Sequence, residues 1–231
     1  MNNILEAQML SKSFFSKTVL RDLNLQVREG STLGLLGPNG SGKTTFLKIA
    51  AGLLQPSSGK LLIGGHTPGV VTKSMVAYMP DKNYLFNWMK ISDAIQFYAD
   101  FYTDFDKEKM GELLDFMNLN SDLKVAALSK GMTEKLNLAL ILARKARLTI
   151  LDEPLGGVDP SARQKILDAI VNNFSEDRTI IITTHLVRDI ESLFDDVAFI
   201  ADGQILLQGN AEELRYEKGK SIEEIFCELY R

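Results

Sequence analysis

The chain has 231 residues, of which 45% are hydrophobic, and a formal net charge of −4, so it can form one sizeable domain and its charge does not favour nucleic acid as a partner. Its single cysteine, Cys227, excludes an intrachain disulfide, leaves too few thiols for a zinc site and fits a reducing compartment. No apolar run approaches the roughly 20 residues that a membrane-spanning helix needs, so we expect any membrane span to belong to another chain.

The first sixty residues contain three short extended segments separated by turns. The opening residues lack a positively charged region followed by an apolar stretch, so they do not resemble a signal peptide. The extended segments have the sequences MLSKSFF, TVLRDLNLQV and KLLIGG. They predict a small antiparallel sheet that flanks a main sheet.

Farther along, short apolar stretches bounded by turn or charge signals alternate with helical patterns. The apolar stretches cover residues 33–36, 75–79, 148–151, 180–184 and 197–201. Helical patterns cover residues 43–51, ahead of Gly52, and residues 162–174, which follow Asp159 and Pro160 and end at Phe174. Because strand and helix alternate, the sequence predicts an α/β fold with a mostly parallel sheet.

Residues 84–143 are strongly helical in pattern and rich in aromatic residues, which predicts an inserted helical subdomain. The predicted division is a core of residues 1–83 and 144–231 with a helical subdomain of residues 84–143. Most aromatic residues of this subdomain are expected in its hydrophobic core. They are Tyr84, Phe86, Trp88, Phe97, Tyr98, Phe101 and Tyr102.

The last helical pattern of this subdomain begins with LSKGM, residues 128–132. Ser129 has a side chain typical of a helix N-cap. Gly131 also allows the main chain to approach an anion, which helix N-termini attract. The segment alone leaves both roles open, and the choice depends on whether a phosphate ligand binds elsewhere in the chain.

The sequence GPNGSGKT, residues 37–44, follows the apolar stretch at 33–36 and leads directly into a helical pattern. This is the P-loop pattern in the strand-then-helix context that the motif requires. Its glycines allow successive N–H groups to surround a polyphosphate, Lys43 reaches the β and γ phosphates, and the Thr44 hydroxyl suits Mg²⁺. A glycine-rich turn without a ligand is the alternative, and the flanking strand and helix disfavour it.

Polar residues follow two other predicted strands. In LTILDEP, Asp152 and Glu153 come at the carboxyl end of a buried strand, where α/β sheets bind ligands. Asp152 is expected to hold Mg²⁺ through water, and Glu153 to polarise the water that attacks the γ-phosphate. His185, in TTH, is expected at the same sheet edge, within reach of the γ-phosphate and the attacking water. His66, in GGHTPG, is interpreted as a surface turn residue.

In this order along the chain, the P-loop, LSKGM, LDEP, VDP and TTH resemble the motifs of ATP-binding cassette (ABC) ATPases. The resemblance covers nearly the whole chain and implies a RecA-like P-loop NTPase core that binds ATP and Mg²⁺ and hydrolyses ATP. It implies that Phe14, or Phe15 beside it, stacks on adenine, and a core aromatic in a short strand is the alternative. The implied nucleotide contacts are Phe14, Gly37, Pro38, Asn39, Gly40, Ser41, Gly42, Lys43, Thr44 and Thr45.

In this family, two cassettes face each other head to tail, and each ATP lies between the P-loop of one and the signature motif of the other. The resemblance therefore implies a homodimer in which Ser129 and the Gly131 main chain complete the γ-phosphate shell of the partner's ATP. Asp159, in GGVDP, matches the loop that connects the two sites, although an N-cap role before Pro160 needs no partner. The helical subdomain resembles the one that receives a coupling helix from a separate transmembrane permease, which implies a cytoplasmic chain at the inner face of the cell membrane.

Two residues depart from the family pattern. The signature reads LSKGM where the family usually has LSGGQ, so Lys130 replaces a glycine and Met132 a glutamine. Lys130 either adds positive charge near the opposing phosphate or points into water. Asp81, in YMPD, stands where the family commonly has a glutamine that contacts Mg²⁺ and links the nucleotide to the helical subdomain. A carboxylate is a harder metal ligand than an amide but donates no hydrogen bond, so this coupling is expected to differ in detail.

The leading functional hypothesis is an ATP-hydrolysing motor subunit of a membrane exporter, in which ATP binding closes a homodimer and hydrolysis reopens it. LSKGM and FYADFYTDFDKEKM look closest to the ATPases of ABC-2-type exporters. The alternative is a soluble cassette that serves a cytosolic assembly such as an iron–sulfur scaffold. Cassettes that act on nucleic acid or ribosomes usually carry coiled-coil arms, zinc insertions or two fused cassettes, and 231 residues with one cysteine fit none of these.

Overall fold

The computed structural model describes residues 2–172 and 178–230, which form two β-sheets and the helices packed on them. The strands are β1 (Asn3–Phe14), β2 (Lys17–Arg28), β3 (Thr32–Leu36), β4 (Ser58–Ile63), β5 (Val76–Met79), β6 (Leu148–Asp152), β7 (Thr179–Thr184), β8 (Asp196–Ala201) and β9 (Gln204–Asn210). The α-helices are α1 (Lys43–Ala50), α2 (Val70–Lys73), α3 (Ile91–Phe101), α4 (Lys107–Met117), α5 (Lys130–Leu142), α6 (Pro160–Val171), α7 (Val187–Ile190), α8 (Ala211–Lys218) and α9 (Ile222–Leu229). Two short 3-10 helices cover Val125–Ala127 and Glu191–Leu193.

Six strands form the main sheet, in the order β5-β6-β7-β3-β8-β9. The first five are parallel, and β9 lies antiparallel to β8 at the edge. The five strands predicted from apolar stretches all belong to this sheet, and each prediction differs from the observed strand by one residue at one end. The predicted α/β fold with a mostly parallel sheet is confirmed.

The three extended segments of the first sixty residues form the predicted antiparallel sheet, in the order β2-β1-β4. Leu5 of β1 lies opposite Val27 of β2 and Ile63 of β4, and all three side chains are buried. One face of this small sheet therefore packs on the protein interior. His66 is exposed in a turn after β4, as predicted, and its carbonyl accepts a hydrogen bond from the Ile63 N–H.

The main sheet separates two hydrophobic cores. Along β3, Leu35 belongs to the core that includes α1 and the small sheet, whereas Leu36 belongs to the core that includes α5 and α6. Successive strand residues point to opposite faces, and both faces are covered here. This explains why the parallel strands are continuous apolar runs in the sequence.

Residues 84–143 contain α3, α4 and α5, in agreement with the predicted helical pattern. The Ser129 side chain accepts a hydrogen bond from the Met132 N–H at the start of α5, so the N-cap interpretation of Ser129 is confirmed. The boundaries between a core and a helical subdomain stay a prediction.

The expectation that most aromatic residues of this region lie in the core is wrong. Among the seven, Tyr98 is buried and Tyr102 is half-buried. The other five have exposed fractions between 36% and 70%, and they are Tyr84, Phe86, Trp88, Phe97 and Phe101. Large apolar side chains grouped on a surface are typical of a site that binds another molecule.

Two side chains in the last third of the chain, Asp159 and Tyr230, bond to the ends of neighbouring elements. Asp159 caps α6 by accepting hydrogen bonds from the Ser161 and Ala162 N–H groups, which confirms its N-cap interpretation. The predicted end of this helix, Phe174, lies outside the described residues. After α9, the Tyr230 hydroxyl lies 3.1 Å from the carbonyl oxygen at the end of β3 and 3.0 Å from that of Ile200 in β8.

Within residues 2–172 and 178–230, no helix combines the length and hydrophobicity needed to cross a membrane.

Candidate active site

The parallel strands end together at one edge of the main sheet, and the predicted polar residues gather there. β3 leads into the loop of residues 37–42, and β6 ends at Asp152, next to Glu153. His185 follows β7, and Asp81 comes two residues after β5. Four chain segments that are far apart in sequence therefore meet at this edge.

The loop of residues 37–42 requires glycine at two positions. A Cβ atom on Gly37 would lie 2.3 Å from the Ile200 carbonyl oxygen, so the backbone there leaves no room for a side chain. Gly42 has φ of 109° immediately before α1, a conformation that side chains disfavour. Within the described residues no side chain caps α1, and such helix N-termini attract anions.

Lys43 is folded against this loop. Its Nζ atom donates hydrogen bonds to the carbonyl oxygens of Gly37 at 2.7 Å and Pro38 at 3.1 Å, and lies 4.0 Å from Glu153 Oε1. Burial lowers the pKa of Lys43, and the nearby carboxylates of Glu153 and Asp152 oppose that shift. The ammonium is therefore a buried cation held in place for an anionic ligand.

An open cavity of about 480 Å³ lies beside the loop, within the range of small-molecule sites. The predicted nucleotide contacts that line it are Asn39, Gly40, Gly42, Lys43, Thr44 and Thr45. Across the described part of the chain, the buried Ser41 hydroxyl oxygen is one of the few side-chain atoms without a hydrogen-bond partner. Such an orphaned polar group in a loop of this kind fits a polyphosphate ligand.

The β1–β2 hairpin also contributes to this cavity, although sequence reasoning identified none of the residues concerned. They are Lys17, Thr18, Val19 and Arg21, and Asp202 adds to them from the β8–β9 turn. Phe14 is not among the lining residues; it pairs with Lys17 at the end of β1, with an exposed fraction of 41%. The core-aromatic alternative for Phe14 is therefore wrong, and adenine stacking by Phe14 stays a prediction.

Asp152 is fully buried, and hydroxyl groups orient its carboxylate. Thr183 on the neighbouring strand β7 donates to Oδ1 at 2.7 Å, and the Tyr78 hydroxyl on β5 lies 3.4 Å from Oδ2. Burial raises the pKa of Asp152, whereas hydrogen bonds from Thr183 and Thr44 lower it. The side chain is thus fixed in direction before any ligand binds.

Glu153 and His185 form a pair at the mouth of the site. Glu153 has a positive φ of 54°. Its N–H donates a hydrogen bond to the Thr183 hydroxyl at 3.0 Å and also lies 3.1 Å from the Thr183 carbonyl oxygen. This turn directs the carboxylate toward His185, whose Nδ1 lies 2.8 Å from Glu153 Oε2. The His185 N–H lies 3.3 Å from the same oxygen.

The donor set around the cavity fits a small divalent cation. Asp81 provides a carboxylate and Thr44 a hydroxyl at the cavity wall, and the buried carboxylate of Asp152 is hydrogen-bonded to Thr44. Mg²⁺ prefers such hard oxygen ligands and usually retains several waters beside one or two carboxylates and the phosphates of a substrate. Ligation of Mg²⁺ by these three residues stays a prediction.

The LSKGM residues do not line the cavity described above. Gly131 is buried against α6 of its own chain, where an added Cβ atom would lie 3.2 Å from Asp159 Oδ2. Lys130 also turns toward its own chain, because a Cβ atom on Gly157 would lie 2.1 Å from the Lys130 Nζ atom. Ser129 is exposed beside them. The chain thus carries two separate groups of predicted site residues.

Comparison with known proteins identifies the family. The profile of the ABC transporter family matches residues 20–156, which is more than half of the chain. The chain belongs to the ABC transporter family. It is an ATP-binding subunit, and ABC ATP-binding subunits are ATPases.

Several bacterial ABC proteins are similar to this ABC subunit. The Nod factor export ATP-binding protein I of Ralstonia nicotianae is 33% identical over 232 residues, which cover 96% of this chain and 72% of that protein. The linearmycin resistance ATP-binding protein LnrL of Bacillus subtilis is 29% identical over 219 residues, which cover 91% and 70%. A solved structure described as the ATP binding subunit of an ABC transporter superimposes with a TM-score of 0.88 at 26% identity, covering 98% of this chain and 99% of that chain.

Proposed function

We propose that this ABC subunit is the motor of a membrane exporter and hydrolyses ATP in the cavity beside the P-loop. The observation that carries the proposal is the grouping of Lys43, Asp152, Glu153 and His185 at one sheet edge, with Lys43 and Glu153 only 4.0 Å apart. These groups supply the cation, the metal carboxylate and the base that hydrolysis of a phosphoanhydride needs.

Each side chain has a distinct chemical task in this proposal. Lys43 leaves the loop carbonyls and binds the β and γ phosphates, whose charge it neutralises. Glu153 holds the attacking water and polarises it, while His185 keeps the carboxylate oriented through the 2.8 Å contact. Thr44, Asp152 and Asp81 would hold Mg²⁺, which would supply positive charge against the phosphate oxygens.

The second group of site residues supports a head-to-tail homodimer. Ser129 and Gly131 do not line the cavity of their own chain, so they serve as ligands only if a second copy presents them to it. Ser129 is exposed, and its hydroxyl caps α5, whose N-terminus attracts negative charge. A γ-phosphate bound by the P-loop of the partner would meet both features.

Export through a separate permease is supported by two observations. The similar proteins include one named for Nod factor export and one named for linearmycin resistance. A groove of about 460 Å³ lies between β5 and α3 and is lined by aromatic rings, including Tyr84, Phe97 and Tyr102. An apolar coupling segment of a permease fits this groove, which would hold the subunit at the cytoplasmic face of the membrane.

The catalytic part of the proposal is tested with Glu153→Gln, which keeps the shape of the side chain but removes its basicity. We expect kcat for ATP hydrolysis to fall by about 10²- to 10⁴-fold, the usual contribution of a general base, while ATP binding persists. Glu217→Gln, an exposed carboxylate on α8, is the matched control and should keep full activity. Undiminished hydrolysis by Glu153→Gln would overturn the assignment of the base.

The partner is tested by fractionating cells that produce the tagged chain together with its permease. We expect the wild-type chain in the membrane fraction and Phe97→Asp, which places a charge in the groove, in the soluble fraction. Phe116→Asp is the control, because Phe116 on α4 has an exposed fraction of 39% against 44% for Phe97 but does not line the groove. A wild-type chain that stays soluble would favour the cytosolic assembly role instead.

A further inference from the structure

Tyr78 is the one residue among the described parts of the chain that both lines the aromatic groove and hydrogen-bonds the buried carboxylate of the active site. Its side chain is half-buried, and its ring packs against the core on the α1 side of the main sheet. The Tyr78 side chain therefore forms part of the groove wall and also contacts the active site.

The register of the main sheet explains why Tyr78 reaches Asp152. Tyr78 lies opposite Ile150 in the parallel pair of β5 and β6, so Tyr78, Ile150 and Asp152 point to the same face of the sheet. Asp152 is two residues farther along β6, a distance of about 6.6 Å at the rise of a parallel strand. A tyrosine side chain is long enough to span that distance, and its hydroxyl ends 3.4 Å from Asp152 Oδ2.

The Asp152 carboxylate is oriented from both neighbouring strands. Thr183 on β7 donates to Oδ1 at 2.7 Å, and Tyr78 on β5 donates to Oδ2. Loss of the tyrosine hydroxyl would leave Oδ2 without the donor from β5. Mutation of a group that orients a metal ligand in this way typically lowers metal affinity or activity by roughly 10- to 100-fold.

A purely structural role would not require the hydroxyl. The ring of Tyr78 fills space between the groove and the core beneath it, and phenylalanine would fill that space equally well. A hydroxyl placed beside a fully buried carboxylate instead contributes direction and partial charge where the metal ligand needs them.

We propose that Tyr78 is a positioning residue that orients Asp152 toward Mg²⁺ and connects this carboxylate with the aromatic groove. The proposal rests on the proposed function in one respect, since it takes the cavity beside the P-loop as the site of Mg²⁺ and ATP.

The test is the Mg²⁺ dependence of nucleotide binding by the full chain, which does not rely on turnover. Binding of a fluorescent ATP analogue is titrated at increasing Mg²⁺ and, separately, in EDTA. For Tyr78→Phe we expect the half-saturating Mg²⁺ concentration to rise about tenfold, the lower end of the effect of losing a group that orients a metal ligand. Affinity for the analogue in EDTA should stay unchanged, because the phosphate contacts of the P-loop are intact.

Tyr98→Phe is the matched control. Tyr98 lines the same groove, and its hydroxyl lies 2.6 Å from that of Tyr84 rather than near Asp152. The Mg²⁺ dependence of this control should equal that of the wild type. An unchanged Mg²⁺ dependence in Tyr78→Phe, with normal binding by the wild type, would overturn the role of Tyr78 alone. Failure of the wild-type chain to bind the analogue at all would overturn the proposed function, and this proposal with it.

Discussion

At the scale of single residues, burial changes the acidity of Glu134 on α5. The side chain has an exposed fraction of 7%, and burial raises its pKa to about 7, an effect that Lys130 opposes and Asp81 reinforces. Because the folded state binds this proton more tightly than the unfolded state, the contribution to stability is full below the ordinary pKa of glutamate. It is lost as the pH rises through about 7.

Glu134→Gln should therefore remove the loss of stability that the wild type shows as the pH rises. We expect the variant to exceed the wild type at pH 8 by on the order of 2 kcal/mol in the free energy of unfolding, with a much smaller difference at pH 5. Urea unfolding at the two pH values measures this. Glu217→Gln, which changes an exposed glutamate, should show the same small difference at both. If the free energies of unfolding of Glu134→Gln and the wild type differed by the same amount at pH 5 and pH 8, the raised pKa of Glu134 would be contradicted.

Substitution of Lys130 tests whether the lysine of LSKGM contacts its own chain or the ATP of a partner. The ammonium lies against Gly157 of the same chain, so we expect Lys130→Gly to leave KM for ATP within about twofold of the wild type and to cost at most about 1 kcal/mol of helix stability. Initial rates of hydrolysis give KM, and Lys130→Gln, which keeps a polar side chain of nearly the same length without the charge, is the control. A tenfold rise in KM for both variants would instead place the ammonium near the phosphate of the partner's ATP.

Most of the site residues could be predicted because their motifs are local in sequence. The P-loop, Asp152, Glu153 and His185 each follow an apolar strand, and the sheet brings those strand ends together. Thr183 and Tyr78 could not be predicted as partners of Asp152. They lie 31 and 74 residues away from it, and the lateral order of the strands alone makes them neighbours.

At the scale of secondary-structure elements, Arg144 connects the helical region with β5. Its guanidinium donates to both Asp104 carboxylate oxygens at 3.1 and 3.0 Å and to the Val76 carbonyl oxygen at 2.8 Å, and it lies 3.9 Å from the centre of the Tyr102 ring. The Arg144 side chain has an exposed fraction of 3% and that of Asp104 23%, so the cation is shielded from water and the carboxylate is half-buried. One side chain thus joins the loop before α4 to the edge of the main sheet.

Arg144→Met should lower the free energy of unfolding by about 3 kcal/mol, because Asp104 and the Val76 carbonyl lose a buried partner. Arg147→Met is the matched control, since Arg147 pairs with Glu29 at the surface with an exposed side-chain fraction of 49%. A surface ion pair contributes at most about 1 kcal/mol. Chemical denaturation of both variants measures the difference, and equal losses would contradict the anchoring role of Arg144.

The elements also show where sequence patterns succeed and fail. Strands buried on both faces were predicted to within one residue because their apolar runs end sharply at turn or charge signals. Five aromatic residues were wrongly expected in the core because residue type alone does not distinguish a core residue from one in an exposed apolar patch; they are Tyr84, Phe86, Trp88, Phe97 and Phe101. Helix α9 was not predicted, although Ser221 and Glu224 form a capping box that signals its start.

At the scale of the whole molecule, the proposed function depends on two surfaces, one from each copy of the chain, acting on the same ATP. The P-loop cavity and the exposed N-terminus of α5 are separate in the monomer, so in the proposed function neither is a complete site alone. A head-to-tail homodimer joins them twice by symmetry. In the proposed cycle, the binding of ATP holds this dimer together, and hydrolysis of ATP releases it.

The most direct measurement of this claim is the mass of purified Glu153→Gln by light scattering, with and without Mg²⁺ and ATP. The substitution keeps the nucleotide site and removes the base, so ATP should persist and the mass should double on its addition. Glu153→Gln combined with Ser129→Arg, which blocks the signature surface, should bind ATP and stay monomeric. A Glu153→Gln chain that binds ATP and keeps the monomer mass would contradict the head-to-tail homodimer.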